Sequence, residues 1–300
     1  MATGARIPWW SKIAIKLALS RAPVPYGFWK RIGVFRHGDM ADPARAIGAF
    51  RAHYDKANAV RPMRPGFTVL ELGPGDSLLS AGVAKAFGAS RTYLVDAGRF
   101  ADESPALFYD LERALSRDGL GSLSLPADAG MEEILAALGA RYLTQGVRSL
   151  ATIPDASVDL IWSSVVLEHV FADEFDAMAA EFARILAPDG VMSHAVDLRD
   201  HLGGGLNNLR FSPERWESPG WRGAGFYTNR MSQAEIVEAF TRAGFSTVEL
   251  ESALWPQMPI ERAALHETFR GRSDEELRIC EFDLVMVHGT PGGRGRGNDG

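Results

Sequence analysis

The sequence predicts an α/β fold: a doubly wound, mostly parallel seven-stranded sheet with an N-terminal helical lid and inserted helices. Three observations carry this reading. From residue 67 onward, β-rich runs alternate with amphipathic helical stretches, a pattern that builds a sheet with helices on both faces. A glycine-rich turn follows the first run, and an acidic residue, Asp96, ends the next one 21 positions after Gly75. The 300 residues are 46% hydrophobic, 23% charged and 10% aromatic. That is a globular balance, and the chain is long enough to bury a core without staples.

Residues 1–38 are basic and aromatic, with Trp9, Trp10, Tyr26, Phe28 and Trp29, and with Ile13, Ile15, Leu17 and Leu19 set among cations. The segment reads as a helical lid packed on the main body with its cations toward water. The same pattern also suits an amphipathic segment at a membrane surface. Pro23 and Pro25 separate it from the next helix. Residues 41–56 read as that helix, capped by Asp42 or Asp39, with Ile47, Phe50 and Tyr54 on one face. Pro62, Pro65 and Gly66 mark a linker. The chain therefore divides into a lid over 1–60, a main domain over 61–290 and a Gly/Arg-rich disordered tail over 291–300.

In the main domain, residues 67–72 form the first strand. A glycine-rich turn leads into a helix over 78–87, stopped by Gly88. Residues 92–95 are the second strand. Residues 99–140 are long for a crossover and carry extra helices, one of them over 131–138. Residues 141–143 and 158–163 are the third and fourth strands, the fourth preceded by a Pro154-Asp155 turn. Phe175, Met178, Ala179, Phe182, Ile185 and Leu186 recur at helical spacing, which gives an amphipathic helix over 173–186 ended by Pro188 and Gly190. Residues 191–196 are the fifth strand. Ser232 and Glu235 make a capping box for a helix running to Arg242 and stopped by Gly244. Residues 247–250 and 282–287 are two late strands.

The net charge of −6 is unevenly spread. Seven basic residues and no acidic ones precede Asp39, which leaves 25 basic against 38 acidic residues, or −13, on the remainder. An acidic body argues against nucleic acid as a partner, because neutralising phosphates needs a broad basic surface. The single cysteine, Cys280, forms no internal disulfide and reads as a small buried hydrophobe. No uninterrupted apolar run is long enough to span a bilayer. The stretch 13–19 is interrupted by Lys16 and lacks a clean small-residue cleavage site, so the expected compartment is the cytoplasm.

In a doubly wound sheet, ligands bind outside the carboxyl ends of the strands, near the topological switch point. The first turn there runs Glu71, Leu72, Gly73, Pro74, Gly75, Asp76, Ser77. Its glycines let the backbone approach a ligand closely, and the following helix offers unpaired N–H groups. The carboxylate of Asp96 is placed to accept both hydroxyls of a ribose. A dinucleotide site wants a third glycine where Leu78 stands. Glu71 at the strand end would repel a pyrophosphate but suit an ammonium group. S-adenosylmethionine has a ribose, an amino acid and no phosphate, so these charges favour it over NAD.

At this point the chain resembles the class I S-adenosylmethionine-dependent methyltransferases. Glu71, Gly73 and Gly75 match the family's first motif, with Ser77 in place of its last glycine, and Asp96 matches the ribose-binding acid. Residues 153–170 match the fourth-strand block and residues 181–190 the helix and turn before the fifth strand. Residues 197–204 and 225–230 resemble a subgroup found in bacterial surface-polysaccharide clusters. The resemblance implies a Rossmann-like fold and S-adenosyl-L-methionine as cofactor. It further implies that Gly73, Pro74, Gly75, Asp76 and Ser77 cradle the methionine part, with Glu71 near its ammonium. Asp96 holds the ribose, Gln145 or Val147 borders the adenine, and Ser163 and Ser164 lie beside the methyl group.

Methyl transfer to a hydroxyl benefits from a general base with a pKa near 7, which suits histidine. Of seven histidines, His37, His53 and His266 read as ordinary helix or loop residues, and His288 ends the last strand far from the cleft. His194 lies within strand five and reads as a core residue. His169 follows Glu168 near the expected methyl position. That Glu-His pair resembles metal-dependent ubiquinone-pathway O-methyltransferases, but Val165 stands where they carry a further carboxylate, so no metal is expected. His201 ranks first as base, since Asp197 and Asp200 stand near enough in sequence to orient it. Residues 202–228, with Asn207, Asn208, Arg210, Arg215, Trp216, Trp221 and Tyr227, suit a polyhydroxylated or anionic acceptor. The reading is an O-methyltransferase acting on a glycan or small polar metabolite. Two other readings keep the cofactor: a lyase or cyclase that consumes it, and a non-catalytic scaffold that binds it. The sequence leaves the oligomeric state open.

Overall fold

The computed structural model describes residues 8–20 and 41–289. Residues 1–7, 21–40 and 290–300, which include His37, much of the expected lid and the expected tail, lie outside the described residues. The strands are β1 (Thr68–Leu72), β2 (Arg91–Val95), β3 (Ala140–Leu143), β4 (Val158–Ser164), β5 (Leu186–Asp197), β6 (Phe245–Leu254) and β7 (Ile279–His288). They form one Rossmann-like sheet in the order β3-β2-β1-β4-β5-β7-β6. Every pairing is parallel except those of β7, which runs antiparallel to both β5 and β6. The main helices are α1 (Trp9–Ser20), α2 (Pro43–Val60), α3 (Leu79–Ala86), α4 (Pro105–Arg117), α5 (Met131–Ala137), α6 (Ala172–Ile185) and α7 (Gln233–Arg242).

Strand side chains alternate between faces. Val69, Leu94, Leu160, Trp162 and Val191 enter the core beneath α2, α3 and α4. Leu70, Tyr93, Val95, Ile161 and Met192 enter the opposite core beneath α6 and α7. Both faces are covered, which is why the central strands read as continuous apolar runs rather than alternating ones. The local signals hold. Asp42 caps α2 by accepting from the Ala44 N–H at 3.0 Å, with Pro43 in the first turn. Ser232 and Glu235 form the expected reciprocal box at α7.

The strand ends depart from expectation. β5 starts at Leu186, directly after α6, and runs through Pro188 and Gly190, which by sequence mark a stop. Val158 pairs with Leu186 and Leu160 with Val191, so a register shift absorbs the intervening turn residues. β6 is longer than residues 247–250 because an edge strand that is mostly exposed carries no apolar alternation to mark its limits.

Helix α1 is docked on the segment after β5. Ile13 is buried there, with Trp9 and Leu17 packed against a cluster of Trp216, Trp221, Phe226 and Tyr227. Trp9 meets Phe211 edge-on with ring centroids 6.0 Å apart, and the Arg210 guanidinium lies 5.2 Å from the Trp9 ring centre. Among the described residues no helix is long and apolar enough to cross a membrane.

Candidate active site

The turn after β1 is built for close approach. Gly73 has φ +72° and Gly75 φ +66°, conformations that side chains oppose. A Cβ at Gly73 would also lie 2.5 Å and 2.6 Å from the two γ-carbons of Val166, so the loop after β4 closes against the turn. The Gly75 N–H donates to Asp96 Oδ2 at 3.0 Å, and the Ala97 N–H to Oδ1 at 2.7 Å. The Gly146 N–H donates to the Asp96 carbonyl at 2.8 Å, which draws the turn carrying Gln145 beside the same acid. Ser77 is buried, and its hydroxyl accepts from the Leu79 N–H at 3.3 Å at the start of α3. The Asp76 carbonyl accepts from the Asp102 N–H at 2.8 Å, which ties the loop after β2 to the glycine turn.

Burial dominates the electrostatics. It pushes the Asp96 carboxyl up to about 6, against the opposing N–H groups of Gly75 and Ala97. Glu71 is 4% exposed, and burial pushes it to about 8. Its carboxyl accepts from the Ser80 hydroxyl and feels the charge of Asp96. Two carboxyl groups short of counter-charge beneath one glycine turn favour a cationic ligand and oppose a pyrophosphate.

The ends of β4 and β5 carry the second half of the site. Val165 takes φ +57°, strain of a kind that clusters at functional sites. Glu168 is 2% exposed, and neither carboxyl oxygen has a hydrogen-bond partner. Burial pushes its pKa to about 8, and the N–H groups of Glu168 and Asp197 oppose the shift without satisfying either oxygen. The next residue, His169, meets His201: their Nε2 atoms are 3.2 Å apart, and the rings stack at 5.0 Å with 7° between planes. His169 Nδ1 lies 3.0 Å from the Tyr227 carbonyl. A carbonyl only accepts, so this nitrogen carries a proton. In the neutral pair His169 Nε2 is therefore bare, and His201 donates to it.

The structure thus brings together Glu71, Gly73, Pro74, Gly75, Asp76, Ser77, Asp96 and Gln145, and separately His169 with His201. It corrects other expectations. Ser163 is fully buried, and its hydroxyl is paired with His194 Nδ1 at 2.8 Å, so its side chain offers the cleft nothing. The Ser164 hydroxyl is held by His53 Nε2 at 2.9 Å. Asp197 does not orient His201: its oxygens take Arg199 Nε and Nη2, both at 2.9 Å. Asp200 accepts from the N–H groups of Leu202, Gly203, Gly204 and Asn207, shaping the loop instead. Trp216, Trp221 and Tyr227 are buried in the core under α1, and the buried Asn208 donates to the Thr228 hydroxyl at 3.0 Å, so these members of the expected acceptor-binding set serve packing. His194 is a core residue as expected, its ring near-parallel to those of Phe182 and Phe240 in a three-ring cluster, and burial lowers its pKa to about 3.

Two contributors had no sequence signal. His53 bridges the hydroxyls of Ser193 and Ser164 at 2.8 and 2.9 Å, which locks α2 to the end of β4 and the interior of β5. The Tyr142 hydroxyl donates to the Gly98 carbonyl at 3.0 Å and accepts from the Phe100 N–H at 3.1 Å, bracing the loop after Asp96.

Residues 124–193 match the family model described as a methyltransferase domain. That match covers 70 of the 300 residues and lies downstream of the glycine turn and Asp96. The residues present fit S-adenosylmethionine: the buried acids Glu71 and Asp96 suit a cation and a ribose, and the glycine turn leaves room where a Cβ would intrude. No curated protein matches the chain. Among solved structures, it resembles an S-adenosylmethionine-dependent methyltransferase of Mesorhizobium loti at 16% identity, covering 80% of this chain and 99% of that one, with a TM-score of 0.43. It resembles phosphoethanolamine N-methyltransferase 2 of Haemonchus contortus, in complex with S-adenosylmethionine, at 15% identity over 81% of this chain and 53% of that one, TM-score 0.44. A third likeness is to the 1,6-didemethyltoxoflavin-N1-methyltransferase of Burkholderia thailandensis, at 14% identity over 97% and 94% of the two chains, TM-score 0.43.

Proposed function

We propose that this methyltransferase transfers a methyl group to a hydroxyl of a glycan or small polar metabolite, with the His169–His201 pair as general base. The observation that carries the reading is the 3.2 Å contact between the two Nε2 atoms, in the segments that follow β4 and β5. A hydroxyl acceptor must lose a proton on methylation, and a pair of solvent-accessible imidazoles is suited to taking it. A sugar acceptor is supported by the sequence likeness of residues 197–204 and 225–230 to the surface-polysaccharide subgroup.

Bound S-adenosylmethionine supplies a methyl group on a sulfonium, open to direct displacement by an acceptor oxygen. This chain supplies position and proton handling. Asp96 and the Gly73–Ser77 turn fix the cofactor's ribose and amino acid ends. His201 Nδ1 takes the acceptor's proton. His201 then passes its Nε2 proton to the bare Nε2 of His169, and the Tyr227 carbonyl steadies the resulting imidazolium through Nδ1. The charge ends 4.0 Å from the Glu168 carboxyl.

The test is calorimetric titration with S-adenosylhomocysteine, with Asp96→Ala as control, and then an acceptor screen that starts with sugars. One-site binding lost in the variant, together with methylation of a hydroxyl, is the expected result. Release of methylthioadenosine, or methylation at nitrogen or carbon only, overturns the O-methyl reading.

A further inference from the structure

We propose that α1 is an interfacial helix that seats the protein on an anionic lipid surface, with Trp10 entering the headgroup layer. The proposal does not depend on which acceptor is methylated. Helix α1 spends one stripe inward: Trp9, Ile13 and Leu17, four residues apart, pack on the aromatic cluster after β5. Trp10 is left 61% exposed beside that stripe. A tryptophan so placed is costly in water and suited to a membrane interface, where an apolar ring meets a polar boundary. By sequence, the same twelve residues also carry Ile15 and Leu19 outside the 9/13/17 repeat, and their only charges are Lys12 and Lys16, both positive.

Charge selects the occupant. Seven basic and no acidic residues precede Asp39, whereas the rest of the chain carries −13. By sequence, an anionic surface therefore attracts the first 38 residues, α1 with Lys12 and Lys16 among them, and repels the remainder of the chain. A nucleic acid would offer the same charge attraction but no apolar layer for Trp10, so lipid fits both features.

The test is flotation of the full chain with phosphatidylcholine vesicles, with and without about a third phosphatidylserine. The expected result is binding to the anionic vesicles only, weakened by added salt. Trp10→Ser should reduce it several-fold, and Lys12→Glu with Lys16→Glu at least about tenfold. Thermal unfolding and S-adenosylhomocysteine titration of each variant should match wild type, since none of these residues belongs to the cofactor or histidine sites. Absence of flotation with anionic vesicles at low salt overturns the proposal, as does Trp10→Ser floating like wild type. Retention on duplex DNA without vesicle binding also overturns it and assigns the basic end to nucleic acid.

Discussion

His201 Nε2 lies 3.2 Å from His169 Nε2, and the Tyr227 carbonyl on His169 Nδ1 decides which ring gives the hydrogen bond between them. If the two rings act as one base, losing either should cost about as much as losing both. His169→Ala and His201→Ala should each lower kcat about 100-fold, and the double variant should fall little further. Both residues are exposed, so the fold should tolerate the changes. Affinity for S-adenosylhomocysteine should stay near wild type. Wild-type turnover in either single variant removes the pair from the chemistry.

Asp96 connects cofactor affinity to pH. Burial raises its pKa to about 6, so its carboxylate, the form that accepts two ribose hydroxyls, is lost as pH falls through that value. The dissociation constant for S-adenosylhomocysteine should therefore tighten between about pH 5 and pH 7 and level off above. Asp96→Asn should bind weakly and without that dependence. Calorimetry across the range decides the matter, and a flat wild-type profile would falsify the role given to this carboxylate.

The geometry of the glycine turn and its neighbour Asp96, the half of the site proposed for the cofactor, is legible in the sequence because its needs are local. Gly73 and Gly75 take positive φ and Asp96 follows the end of β2, features of backbone angle and strand end that short spacings report. The order of β1 to β5 is legible because buried parallel strands are apolar throughout. The acid-base half is less so, because its contacts are long-range. Sequence proximity assigns Asp197 and Asp200 to the orientation of His201, yet Arg199 and four backbone N–H groups claim those carboxylates. The partner of His201 lies 32 residues away. Tyr142 and His53 act across 44 and 111 residues, beyond the reach of any periodicity. The aromatic residues of the 202–228 segment suggest a ligand by composition, but their packing partner is α1.

Glu168 should make stability depend on pH. Its folded-state pKa is raised to about 8 from an ordinary 4.5. Below the lower value both states hold the proton. Between the two only the folded state does, so the stability this proton contributes declines as pH rises and is gone above about 8. Glu168→Gln stays neutral throughout. The variant should match wild type near about pH 5 and gain several degrees of Tm over it by about pH 8.5. Parallel Tm curves would show that the carboxyl is not held protonated.

Tyr142→Phe tests the brace behind Asp96. The change removes the hydroxyl that joins the Gly98 carbonyl to the Phe100 N–H and leaves the ring in place. Each lost hydrogen bond is worth about 1 kcal/mol. The loop after Asp96 should loosen and weaken S-adenosylhomocysteine binding about fivefold. Turnover at saturating cofactor should hold. A wild-type dissociation constant would mean that the other contacts of the loop suffice.

Gly73→Ala separates two costs at the glycine turn. At φ +72° a side chain is strained by roughly 1–2 kcal/mol. Its Cβ would also press on both γ-carbons of Val166, a β-branched residue with little freedom to turn aside. The single variant should lose cofactor binding and several degrees of Tm. Gly73→Ala with Val166→Ala relieves the clash but not the backbone strain, so it should regain part of both against a Val166→Ala reference. If the double variant recovers nothing, the closure of the β4 loop on the turn is not what excludes a side chain there. If it recovers everything, the positive φ is not a constraint in solution.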